Sequence, residues 1–130
     1  MSGVTLKEAA KLRDIIELEL CMELYRLCDD VQFEHCTPLD FANFLNLRPT
    51  NLPVVPKDRE KLRICYIAYL LEQEIIPSRH GREWAVSFLD RIGIDEATYM
   101  KRRTNAADQK PFSKPIEKAI ENWRKRRCGD

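Results

Sequence analysis

Apolar residues recur along most of this chain at the three- and four-residue spacing of amphipathic helices. From Thr5 to about Asp30, Ala9, Leu12, Ile16, Leu20, Leu24 and Leu27 share one side of a helical projection, while Ile15, Leu18, Met22 and Tyr25 gather on nearly the opposite side. Thr5 and Glu8 have the T-x-x-E spacing of a capping box, which predicts one long first helix of about 37 Å at a rise of 1.5 Å per residue. A helix with two apolar sides needs two apolar neighbours. Either it is sandwiched within its own domain, or one side is an interface for a partner or a second copy.

Shorter elements follow. Thr37 as N-cap with Pro38 at the first helical position predicts a second helix presenting Leu39, Phe41, Phe44, Leu45 and Leu47. The stretch RPTNLPVVP holds three prolines in nine residues, which excludes a helix and predicts an extended connection with Leu52, Val54 and Val55 laid on the core. A third helix is expected from Lys57 or Asp58 to Ile76, and its middle, ICYIAYLL, is apolar all round, as befits a helix surrounded by protein. SRHG reads as a turn before a fourth helix, about Arg82 to Ile92, which presents Trp84, Ala85, Phe88, Leu89 and Ile92 and is stopped by Gly93. Asp95 can cap a fifth helix to about Arg103. Ser113 is placed to cap the last, about 113–127, with Ile116, Ala119, Ile120 and Trp123 on one stripe. The pattern predicts an all-α fold over 1–130: a single-domain bundle of five or six helices around the first and third, with a Pro-rich extended connection after the second.

Composition narrows this little. A length of 130 residues, 44% of them hydrophobic and 33% charged, suits one globular domain. The longest apolar run, Ile64 to Leu71, is eight residues, well short of the roughly 20 that span a bilayer, so no membrane association is expected. The N-terminus lacks the apolar core of a signal peptide. With five cysteines, an odd number, reduced thiols and a cytoplasmic location are expected.

Charge changes the picture more. The formal total is +1, yet residues 1–36, 37–76 and 77–130 carry −4, 0 and +5. Such a gradient serves either a basic surface for a polyanion or two complementary helices that face each other. The segment AVSFLDRIGIDEATYMKRRT, residues 85–104, resembles a helix-turn-helix: Phe88, Ile92, Gly93, Ile94 and Tyr99 fit its pattern, and Lys101, Arg102 and Arg103 follow. It departs from that pattern at Leu89, where a small residue is usual, and at Asp95 and Glu96, whose negative charge would meet phosphates. The competing reading is a plain helix-Gly-helix corner. The tail Arg124, Lys125, Arg126 and Arg127 adds a second basic group.

Chemistry has few handles. Cys21, Cys28 and His35 recur every seven residues, but no C-x-x-C exists, and two cysteines seven apart on a helix lie about 10.5 Å from one another, too far to share a zinc ion. No metal, cofactor or small molecule is indicated. Cys36, just before a helix start, is the thiol best placed for dipole activation. None of the phosphate-cradling, dinucleotide, zinc-protease or nucleophile-elbow motifs occurs, and the neighbouring His80 and Glu83 make a weak acid-base pair, so no enzyme activity is expected. The function expected is that of a non-catalytic helical module acting through macromolecular interaction. The first choice of partner is a protein or a second copy, bound through Ile15, Leu18, Met22 and Tyr25. The alternative is a nucleic-acid-binding regulator using the 85–104 segment and Lys101, Arg102, Arg103, Arg124, Lys125, Arg126 and Arg127.

Overall fold

The apolar stripes become six α-helices in a computed structural model, which describes residues 14–128. They are α1 Leu18–Cys28, α2 Pro38–Leu45, α3 Lys61–Glu74, α4 Ser78–Asp90, α5 Glu96–Arg102 and α6 Lys110–Arg127, with no strand among the described residues. The fold is all-α and forms one helical domain. The third helix sits at its centre, packed on α4, α5 and α6, while α1 packs on α2 and α6. That placement explains the all-round apolar character of ICYIAYLL: Ile64, Cys65, Tyr66, Ile67, Ala68 and Leu71 are all buried.

Caps form where short polar residues precede the stripes. The Thr37 side chain accepts from Asp40 N at 3.1 Å, and Asp95 accepts from Thr98 N at 2.8 Å. Beyond α4 the chain turns at Gly93, whose φ of 80° suits a residue without Cβ.

The long first helix is corrected. Residues 14–17 are not helical, and α1 begins only at Leu18; the Thr5–Glu8 capping box lies outside the described residues. The cause is Asn46, 2% exposed at the end of α2. Its Oδ1 accepts from Ile15 N at 2.6 Å and Ile16 N at 2.9 Å, and its Nδ2 donates to Ile16 O at 3.1 Å and Ala42 O at 3.0 Å. One side chain thus takes up backbone groups that a continuous helix would have paired internally.

Other boundaries move for local reasons. Arg59 sits in the left-handed region at φ 68°, which delays the third helix from Lys57 to Lys61. SRHG is not a turn but the first turn of α4, directly after Pro77. Ser113 is not a cap: α6 starts at Lys110, and the Ser113 hydroxyl, buried inside the helix, donates to Ala107 O at 3.1 Å. In the Pro-rich connection Val54 is buried, but Leu52 and Val55 point outward at 69% and 47% exposure. The connection is tied down through Asp40, whose buried carboxylate accepts from Asn51 N at 2.9 Å and Leu52 N at 3.2 Å.

Candidate functional site

The C-terminal cations face carboxylates of their own chain. Arg126 reaches Glu17, and also Glu19 and Glu23 at 3.2 and 3.3 Å, so it closes the acidic start of α1 against α6. Glu74, at the end of α3, receives Arg124 Nη2 at 2.8 Å and the Arg127 guanidinium. Arg127 Nη1 also donates to Glu74 O at 2.6 Å, placing positive charge at the negative end of α3. These two arginines hold the Glu74 carboxyl below its usual range. Lys125 pairs with Glu121 at 3.4 Å within its own helix. Trp123 is buried, and Arg127 lies 4.4 Å from its ring centre.

The other basic group is more open. Arg103 lies over the Tyr69 ring at 5.3 Å, whereas Lys101 and Arg102 are exposed. The α5 helix that carries them spans seven residues and buries Tyr99, whose hydroxyl donates to Glu72 of α3. The two basic groups therefore differ: residues 124–127 meet carboxylates of their own chain, whereas of 101–103 only Arg103 is engaged, on a ring.

The four residues expected on the second apolar side divide, Ile15 lying before α1 and the other three on it. Leu18 is 59% exposed. Ile15, Met22 and Tyr25 are half-buried and pack on the core, with the Tyr25 ring 5.9 Å from Phe41 and its hydroxyl donating to Cys36 O at 2.7 Å. Thus α2 covers much of that side and α6 lies on another, so the helix has two apolar neighbours within its own domain.

A groove that sequence reasoning missed lies where α1, α3 and α6 converge. Its volume is about 420 Å³, and Leu27, Val31, Gln32, Arg63, Phe112 and Ile116 contribute to its lining. Gln32 follows α1 in a tight turn: its N donates to Cys28 O at 3.1 Å and its O accepts from Lys57 N at 2.9 Å. Its side chain is consequently held inward, the residue being 3% exposed, and Oε1 has no hydrogen-bond partner. Arg63 is fixed by Gln109 Oε1 at 2.6 Å and Glu60 Oε2 at 2.8 Å, and lies 5.9 Å from the Phe112 ring centre. A polar residue after a helix reads as solvent-facing, so the sequence carries no signal for Gln32. The closely spaced Pro111, Phe112 and Pro115 were a fainter one for the wall.

The remaining chemistry is subdued. Asp29 joins the His35 ring at 2.8 Å and the Cys36 backbone N–H at 2.9 Å, and those bonds outweigh burial to hold its carboxyl below the usual range. This resembles the way a carboxylate orients a catalytic histidine, but the neighbouring thiol is not activated. Burial, with Asp29 and Asp40 adding, pushes Cys36 up to about 11, against the dipole-based expectation. Burial likewise raises Cys21 and Cys28 to about 12 and Cys65 to about 11. His80 and Glu83 lie one turn apart on α4 without a mutual hydrogen bond. Among the described residues no group of three or more His, Cys, Asp or Glu could hold a metal, and no helix is long and apolar enough to cross a membrane. Comparison with protein-family models, with curated proteins and with solved structures finds no match.

Proposed function

We propose that this chain is a non-catalytic helical module of the cytoplasm that works by binding protein. The observation that carries the reading is the engagement of Arg124, Lys125, Arg126 and Arg127 by Glu17, Glu74 and Glu121, which removes most of the basic tail from the cations open to a polyanion. Apolar side chains remain outside: Leu18 on α1, Leu39 on α2, and Leu52 and Val55 on the connection between α2 and α3. Leu18 would be the contact on the α1 face, with Ile15, Met22 and Tyr25 supporting it from behind.

The test is photo-crosslinking. A benzophenone side chain at position 18 should give discrete protein adducts in cells, whereas the same group at exposed Arg59 should not. Sedimentation across concentration tells whether the adduct is a second copy. Equal and diffuse labelling from both positions would remove the α1 face from the reading.

A further inference from the structure

The groove between α1, α3 and α6 combines apolar walls with a buried amide oxygen that no other residue satisfies. Phe112 and Ile116 come from α6, Leu27 from α1, and Gln32 forms part of the inner lining, 3% exposed with Oε1 unpartnered. Native folds pair buried polar atoms almost without exception, because an unpaired one forfeits its hydration and gains nothing. A second unpartnered acceptor, Glu60 Oε1, belongs to the carboxylate that holds Arg63 at the groove wall. As placed, the Gln32 and Glu60 oxygens both lack a donor.

We propose that this groove receives an extended segment of a protein partner, whose main-chain amide pairs with the Gln32 carboxamide while its apolar side chains lie on Leu27, Phe112 and Pro115. Three observations select this occupant. A carboxamide offers one donor and one acceptor side by side, the complement of a peptide group, and the match survives exchange of its O and N. The wall cation is engaged, since Arg63 is held by Glu60 and Gln109, so the groove does not present it to a phosphate or a carboxylate. The groove also shares Leu27 and Pro115 with a second depression of about 280 Å³ along α1 and α6, and such an elongated track suits an extended chain better than a compact ligand.

This inference rests on the protein-binding reading but uses a different surface from Leu18. It is tested by selecting displayed random heptapeptides on the immobilised full-length chain. Recovered peptides are then synthesised and titrated while backbone amide resonances are followed. The expected result is peptides with alternating apolar positions that shift the amides of residues 27–32 and 109–116. Gln32→Met should weaken them at least tenfold, and Phe112→Ala at least fivefold. Gln32→Met fills the same space without the unpaired oxygen, so its Tm should equal or exceed that of the parent, which separates lost binding from lost folding. Peptides that map to Leu18, or that bind Gln32→Met undiminished, overturn the groove and leave the protein-binding reading standing. Recovery of no peptide overturns the groove; failure of the position-18 adducts as well would remove protein binding altogether.

Discussion

A single buried amide decides the course of the chain before α1. Asn46 bonds to Ile15, Ile16 and Ala42, linking the entry to α1 with the exit from α2. Asn46→Ala strands several buried backbone groups at once, and a loss of about 2 to 4 kcal/mol is expected in urea unfolding. A loss below about 1 kcal/mol would mean that the segment before α1 does not depend on this residue. Glu74 makes a different statement. Hydrogen bonds and charge from Arg124 and Arg127 depress its folded-state value below the ordinary 4.5, so its contribution to stability is complete above about pH 4.5 and is lost as pH falls through the folded value. Stability measured against pH should therefore decline below about pH 4.5, and Glu74→Gln should flatten that decline. Asp29 and Asp95 are also depressed, so a residual slope remains. An unchanged acid limb in Glu74→Gln would show that the two arginines do not favour its ionised form.

Elements show how much could be read from the sequence and where reading stopped. The Thr37 and Asp95 caps, the Gly93 stop and the buried stripe of α6 follow from local spacing, and all appear in the structure. Part of what failed was set by contacts distant in sequence. The first helix breaks because of Asn46, some thirty residues away. The glycine in SRHG, which suggests a turn, instead serves close packing within a helix: a Cβ at Gly81 would lie 2.5 Å from Glu72 O. Glu72 is itself a junction, accepting from Arg82 of α4 and Tyr99 of α5. Gly81→Ala thus sets about 1 kcal/mol of helix propensity against about 1 to 3 kcal/mol of overpacking, and a net loss of up to about 2 kcal/mol is expected on thermal unfolding. A gain would mean that α3 and α4 can separate freely. The same distance dependence hid Gln32, because nothing in its neighbours reveals that the turn after α1 directs it inward. The site residues named on α1 were legible as apolar positions. The partial burial of Met22 and Tyr25 was not, since it depends on α2 folding back so that Phe41 meets Tyr25.

At the scale of the whole molecule, the charge gradient becomes a description of how the ends of the described chain meet. Glu17, Glu19 and Glu23 at the start of α1 receive Arg126, and Glu74 receives Arg124 and Arg127. Isolated surface pairs add little stability, but a cation shared among three carboxylates, or a carboxylate held by two arginines, forms a network whose geometry fixes α6 on α1 and α3. The central claim is that the basic C-terminal helix clamps the fold and does not form a polyanion surface. Titration of duplex DNA against salt tests it most directly. Seven basic residues on phosphates would give a logarithmic slope of about −6, at about −0.9 per phosphate neutralised. Because Arg124, Lys125, Arg126 and Arg127 are engaged within the chain, leaving Lys101, Arg102 and Arg103, weak binding at low salt with a slope no steeper than about −3 is expected. Tight binding with a slope steeper than about −4, lost when Lys101, Arg102 and Lys125 are replaced by alanine, would contradict it.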